Sequence, residues 1–158
     1  MAATNVAAGS SDIALVFDEC TPFHVDRDYT ARSTERTHRW LDRCLAWHDE
    51  HGPTGQLVYG IIQGGVYEDL RIESAQQVAA RPVDGIAIGG SLGADKDQMH
   101  GVVELTTGVL PEERPRHLLG IGEVDDLVWT GQLVGTVVVA ALLALAQHDT
   151  QHGRTVTG

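Results

Sequence analysis

Several polar side chains that could hold a flat heterocycle stand where short apolar runs end. Asp18 and Glu19 close one such run (DIALVFDEC), with Cys20 beside them. A carboxylate at this point can accept two N–H donors of a purine edge in a charge-assisted bidentate pair. It could equally cap the next helix or form an ion pair with Arg27 or Arg32. The spacing alone leaves both interpretations open.

Gln63 ends the next apolar run and is followed by Gly64 and Gly65. Its amide offers donors and an acceptor suited to the O6 and N7 edge of a purine. The two glycines allow the backbone to approach a ligand closely. An ordinary turn between a strand and a helix explains the Gln-Gly-Gly sequence at least as well.

A third group of candidates is glycine-rich. Gly89, Gly90 and Gly93 resemble a phosphate loop, because backbone N–H groups that precede a helix can hold an anion. The pattern is neither G-x-G-x-x-G nor a P-loop. An unrelated α/β enzyme that binds a phosphorylated metabolite through residues 89–93 therefore remains an alternative.

The histidines and cysteines give weaker signals. His148 and His152 are four residues apart and could share a helix face, but no glutamate follows His148 as in metalloproteases. The only cysteines, Cys20 and Cys44, provide neither a disulfide framework nor a four-ligand zinc set. We expect reduced thiols, no metal and no cofactor in this chain.

The elements that must position these residues alternate along the chain. We predict strands over residues 12–20, 57–62, 85–88 and 117–121, and helices over 29–50, 67–80 and 96–110, with another starting near 123–126. This alternation predicts a parallel sheet, and the first strand reads as buried on both faces. Ligands of such folds lie at the carboxyl ends of the strands, where the candidate residues stand.

The length of 158 residues predicts a single domain. A closed (β/α)₈ barrel takes about 250 residues, so four βα units make only part of one. Residues 133–146 (LVGTVVVAALLALA) are apolar throughout but shorter than the roughly 20 needed to cross a bilayer. We expect a buried helix there, or otherwise an unpacked apolar segment, and no membrane partner.

The net charge and the N-terminal sequence limit the partners and the cellular compartment that we expect for this chain. The formal net charge is -11, whereas proteins that bind nucleic acid by counterion release usually carry a basic patch. Composition alone therefore argues against an RNA partner. Residues 1–11 show neither a secretory signal nor a transit peptide, which predicts a cytoplasmic protein.

Four ordered motifs together carry a resemblance. They are residues 16–22 (VFDECTP), 60–65 (GIIQGG), 87–90 (AIGG) and 115–122 (PRHLLGIG), supported by 36–40 (RTHRW) and 67–71 (YEDLR). In this order and spacing they resemble the bacterial tRNA-guanine transglycosylases, the queuine tRNA-ribosyltransferase family. The resemblance covers about residues 11–128 and leaves 129–158 as a divergent tail.

The resemblance implies a modified TIM barrel and a pentosyltransferase that exchanges guanine for a 7-deazaguanine at the tRNA wobble position. It implies that Asp18 and Gln63 grip the base, that the Gly90 amide and the Ser91 carbonyl complete the contacts, and that Cys20 lies under the base. Many relatives have Gly-Gly-Leu where this chain has Gly90-Ser91-Leu92. The residues implied to contact tRNA are Gly120, Ile121, Gly122, Glu123, Val124, Asp125 and Asp126.

The family's chemical groups have no counterpart here. Its nucleophile belongs to an F-D-C-x-x-P-T-R-type strand, but residues 137–141 read VVVAA and no carboxylate occurs between Asp126 and Asp149. The S-D-G-type motif with the general acid/base would precede this chain, and the C-x-C-x-x-C zinc motif is absent. We therefore expect no catalytic residue here, an inactive isolated chain and weak or lost tRNA binding.

Two further partner relationships follow as expectations. The chain could form a homo-oligomer, because half a barrel leaves sheet edges and apolar faces uncovered. It could also serve as a non-catalytic, base-binding subunit that pairs with a full-length homologue.

Overall fold

The alternating apolar runs form one parallel sheet in the computed structural model, which describes residues 11–119. The sheet has the order β1-β2-β3-β4, and all three strand pairs are parallel. Neighbouring strands in the sheet are therefore also consecutive in the sequence, as in one arc of a TIM barrel. The strands are β1 (Ile13–Leu15), β2 (Leu57–Ile62), β3 (Gly85–Ile88) and β4 (Arg116–Leu118).

Three helices connect the strands: α1 (Arg27–His51), α2 (Glu68–Ala79) and α3 (Lys96–Gly108). The α1 helix starts two residues before the predicted boundary because the Asp26 carboxylate accepts the Tyr29 N–H at 2.7 Å and caps it. It ends at His51, one residue beyond the predicted boundary, with Gly52 as its C-cap and Pro53 next in the sequence. Within residues 11–119 no helix is long and apolar enough to cross a membrane.

The helices pack against one face of the sheet. Val58 and Ile86 are buried there with Leu41 of α1 and Val78 of α2. Gly60 of β2 permits this close packing, since a Cβ atom at that position would lie 2.7 Å from Val78 Cγ1. The burial of these aliphatic side chains, each worth roughly 1.5–3 kcal/mol, stabilises the sheet against the helices.

The prediction for the first strand is wrong in two respects. The strand contains three residues instead of nine, and it is not buried on both faces: Ala14 is buried, but Ile13 and Leu15 are 42% and 41% exposed. The physical reason is position, because β1 lies at the edge of the sheet, where only β2 flanks it. Leu57, the register partner of Ile13, is likewise 41% exposed.

Several predicted features lie outside residues 11–119. They are the last part of the fourth strand, the helix start near residues 123–126, the apolar run 133–146 and the histidines His148 and His152.

Candidate base-binding site

The loops that follow the first three strands meet at the carboxyl edge of the sheet. There the Gln63 side-chain amide Nε2 donates a hydrogen bond of 2.5 Å to Asp18 Oδ2. Gln63 is fully buried, whereas Asp18 is half-buried. The structure thus brings together the two residues that stand after separate apolar runs in the sequence.

Gly90 brings the third loop to the same point. Its φ angle is +76°, and a Cβ atom on it would lie 2.5 Å from Gln63 Oε1. Both the backbone conformation and the lack of space therefore require glycine. Gly64, with a φ angle of +122°, makes the corresponding tight turn directly after Gln63.

The Gln63 side-chain amide still has unused hydrogen-bonding groups. Gln63 Oε1 is buried and has no hydrogen-bond partner among the described residues. The amide group carries two N–H donors, so the contact with Asp18 leaves one of them available. Burial raises the pKa of the Asp18 carboxyl group, while the hydrogen bond from Gln63 acts in the opposite direction. The site therefore presents a carboxylate and a carboxamide side by side.

A chain of hydrogen bonds holds the backbone of Gln63. Its N–H donates to Ser74 Oγ at 3.1 Å, and Ser74 Oγ lies 3.0 Å from His38 Nε2. Burial, followed by the nearby Arg81 charge, lowers the pKa of His38 to about 4. His38 is thus neutral at pH 7, and its Nε2 can accept a hydrogen bond from the Ser74 hydroxyl. The motif at residues 36–40 contains His38, but nothing in its spacing revealed this role.

Glu19, the neighbour of Asp18, has a structural role. Its carboxylate accepts the Tyr29 hydroxyl at 2.8 Å and pairs with Arg36. The hydrogen bond from Tyr29, with Arg36 next to it, lowers the pKa of Glu19. The backbone N–H of Glu19 also donates to Thr37 Oγ1 at 3.0 Å. Glu19 therefore attaches the loop after β1 to α1.

The ion-pair and cap alternatives for these two carboxylates are wrong. Arg27 pairs with Asp69, and Arg32 lies over the Tyr29 ring with its Cζ atom 5.8 Å from the ring centroid. The α1 cap is Asp26, so neither Asp18 nor Glu19 is needed for it. Spacing in the sequence favoured Arg27 or Arg32 as the ion-pair partner. The direction of the loop after β1 instead brings Glu19 to Arg36.

Arg71 also belongs to the site, although the spacing of the sequence motifs did not single it out. It lies in the first turn of α2 and is fully buried. Its guanidinium donates to the Gly65 and Ser91 carbonyls at 2.6 and 3.1 Å. Burial lowers the pKa of Arg71 to about 10, so the group stays charged at pH 7. Cys20, which the resemblance places under the base, is exposed on the loop after β1.

The glycine-rich loop before α3 is poorly suited to a phosphate. The Asp95 carboxylate caps the helix by accepting the Gln98 N–H at 2.9 Å. The Ala94 N–H is also used, since it donates to Gln98 Oε1 at 2.9 Å. Asp95 places negative charge where an anion would have to bind, so the geometry disfavours the phosphate alternative.

Residues 11–119 contain no group of three or more histidine, cysteine, aspartate or glutamate side chains that could hold a metal ion. The residues implied to contact tRNA, 120–126, lie outside this described range.

Comparisons with known proteins identify the family. Its profile, described as Queuine tRNA-ribosyltransferase, matches residues 5–133. A queuine tRNA-ribosyltransferase from Roseiflexus sp. (strain RS-1) is 50% identical over 127 residues, which cover 75% of this chain and 32% of the relative. The same name is carried by a protein of Bacillus subtilis (strain 168), 48% identical over 119 residues that cover 75% of this chain and 31% of the relative.

A third relative has the same name and a similar degree of identity. The Halalkalibacterium halodurans protein is 50% identical over 119 residues, covering 75% of this chain and 31% of the relative. The chain thus spans about a third of the length of the curated relatives it matches. Because the family profile matches most of its residues, this chain belongs to the queuine tRNA-ribosyltransferase family.

Proposed function

We propose that this chain supplies the base-recognition part of a tRNA-guanine transglycosylase, an enzyme that exchanges guanine for a 7-deazaguanine at the tRNA wobble position. The observation that carries the proposal is the direct contact between Asp18 and Gln63 at the ends of adjacent parallel strands. The relatives' name, queuine tRNA-ribosyltransferase, supports the same activity.

The chemistry of guanine matches this pair of side chains. Along one edge guanine presents the exocyclic amine and N1–H as donors, followed by O6 and N7 as acceptors. A carboxylate next to a carboxamide presents acceptors followed by a donor, which is the complementary order. The 2.5 Å contact leaves no room for a ring between the side chains. The base therefore lies alongside the pair, with its edge facing both residues.

The backbone of the third loop supplies the remaining contacts. The Gly90 N–H can donate to the base, and the Ser91 carbonyl can accept from it. Gly90 is the residue whose Cβ position lies 2.5 Å from Gln63 Oε1, so this amide is close to the carboxamide. Cys20 is exposed on the adjacent loop and is the residue that we assign to the face of the ring.

The exchange reaction needs groups beyond base recognition. It is a double displacement at the ribose C1′, in which a carboxylate nucleophile holds the covalent intermediate and an acid/base moves the base proton. Asp18 and Gln63 supply hydrogen bonds to the base and neither of these roles. We therefore propose that the purified chain binds guanine but does not exchange it into tRNA, and that its affinity for tRNA is weak.

Calorimetry on the purified chain tests the proposal. We expect binding of guanine and of 7-aminomethyl-7-deazaguanine, weaker binding of hypoxanthine, which lacks the exocyclic amine, and none of adenine. Inorganic phosphate should not compete. If neither guanine nor the deazaguanine binds, or if phosphate displaces them, the base-recognition proposal is wrong.

A second experiment tests the catalytic part. Labelled guanine should not enter tRNA in the presence of the purified chain alone. Exchange at a catalytic rate would show that another carboxylate, such as Asp149, serves as nucleophile. Co-purification with a full-length homologue and exchange by the pair would instead favour the role of a partner subunit.

A further inference from the structure

The largest fully buried side chain among residues 11–119 is a charged one, Arg71. The ion pairs within this range do not include it. A buried charge without a partner of opposite sign is costly, and an apolar side chain of similar volume would fill the space at lower cost. Packing alone therefore does not account for an arginine at this position.

The directional contacts of the guanidinium do account for it. Nε donates to the Gly65 carbonyl at 2.6 Å, and Nη2 donates to the Ser91 carbonyl at 3.1 Å. Gly65 belongs to the loop after β2 and Ser91 to the loop after β3. Because the guanidinium is planar and its donors have fixed directions, it sets both the separation and the relative orientation of these two peptide groups.

Both of these loops carry base-contacting groups of the proposed site. The Gly65 peptide lies two residues after Gln63, and the Ser91 carbonyl is itself an assigned base contact. A carbonyl oxygen has two lone pairs, so Ser91 can accept from Arg71 and from a ligand at the same time. Nη2 also lies 3.3 Å from the Cβ position of Gly90, which places the guanidinium directly against the site.

We propose that Arg71 is a positioning residue of the base site: its guanidinium joins the loops after β2 and β3 and directs the Ser91 carbonyl toward the base. This inference rests on the proposed base-binding function. Nη1 of Arg71 has no hydrogen-bond partner among the described residues, so one donor group remains for the bound base or for a water molecule beside it.

Three variants test the inference by guanine calorimetry below their unfolding temperatures. Arg71→Met removes both contacts, and Arg71→Lys keeps the charge but not the planar pair of donors. The matched control is Arg114→Met, because Arg114 Nη1 also donates to two backbone carbonyls, those of Ala79 at 2.9 Å and Arg81 at 3.1 Å, which precede β3. Arg114 therefore holds the opposite end of the sheet.

We expect Arg71→Met to lower guanine affinity at least tenfold and Arg71→Lys to recover part of it. Arg114→Met should lower the melting temperature but keep affinity within twofold of wild type. Wild-type affinity in folded Arg71→Met overturns the positioning role and leaves the proposed function intact. Failure of the wild-type chain itself to bind guanine overturns both.

A measurement on the wild-type chain covers the case in which Arg71→Met does not fold. Arginine-selective ¹⁵N spectra should show a slowly exchanging Nε–H, assigned through Arg71→Lys, because this group is buried and bonded to Gly65. Its chemical shift should change when guanine is added. Rapid exchange of the Arg71 Nε–H, or no change at saturating guanine, contradicts the inference.

Discussion

Asp18 and Gln63 are 45 residues apart in the sequence, yet a single hydrogen bond of 2.5 Å joins their side chains. This contact forms because β1 and β2 are parallel neighbours, so the residues that follow them emerge at the same edge of the sheet. The pair combines a carboxylate whose pKa is raised by burial with an amide that is fully buried.

Asp18→Asn should weaken guanine binding strongly without destabilising the fold. Hydrogen bonds to charged groups contribute about 1.5–3 kcal/mol, which corresponds to roughly a ten- to hundredfold loss of affinity. The pKa of Asp18 is raised in the folded state, so its contribution to stability is present below the unfolded pKa and is lost as the pH rises. At pH 7 the melting temperature of the variant should therefore equal or exceed that of wild type.

Glu19→Gln is the matched control for Asp18→Asn. It weakens the contacts with Tyr29 and Arg36, of which the Arg36 side chain is 41% exposed. The expected loss of stability is therefore small, under about 1 kcal/mol, and guanine affinity should not change. Calorimetry measures the guanine affinity of both variants, and thermal unfolding measures their stability. Equal guanine affinity of Asp18→Asn and wild type would show that the carboxylate does not contact the base.

Gly90→Ala should damage both the fold and the site. A non-glycine residue at a φ angle of +76° is strained by about 1–3 kcal/mol, and the new Cβ would lie 2.5 Å from Gln63 Oε1. Gly101→Ala is the control, since Gly101 lies within α3 and nothing surrounds its Cβ position within 4 Å. That substitution should stabilise the chain by about 0.5–1 kcal/mol. Urea unfolding and guanine calorimetry measure both effects, and unchanged affinity in Gly90→Ala would contradict the site.

His38 should make the stability of the chain depend on pH. The pKa of His38 is lowered from 6.5 to about 4 in the folded state, so the folded chain binds fewer protons than the unfolded chain between these values. Its contribution is complete above about pH 6.5 and is lost as the pH falls through 4. Urea unfolding of wild type and His38→Gln across this range should give curves that differ mainly below pH 6.5. His24→Gln, on an exposed loop, should follow the wild-type curve.

The exposed apolar strip of Ile13, Leu15 and Leu57 should promote self-association. These side chains are 41–42% exposed; Ile13 and Leu15 lie on the edge strand β1 and Leu57 on the adjacent β2. The unpaired backbone groups of an edge strand also favour pairing with another chain. Ile13→Lys should shift the sedimentation distribution toward the monomer. Val109→Lys, at a 39% exposed position after α3, should not. A wild-type chain that stays monomeric at high concentration would show that the strip does not drive association.

Local sequence determined most of the secondary structure, and the motifs that resemble the family implied the proposed recognition pair. The predicted bounds of β2 and β3 match the structure, and those of α1 agree within two residues. The spacing of apolar residues and the identity of capping residues involve only a few neighbouring positions. Both can therefore be recognised without knowing the fold. The prediction that Asp18 and Gln63 share one edge followed from the parallel alternation, although their roles as base contacts remain predictions.

Only the tertiary structure decided how the loops are held and which faces are covered. The exposure of Ile13 and Leu15 follows from the edge position of β1, which no local pattern encodes. The pairing of Glu19 with Arg36 and the contacts of Arg71 with Gly65 and Ser91 join segments that are distant in the sequence. Such contacts depend on the register of the sheet and on the direction in which each loop leaves it, and both exist only once the strands have paired.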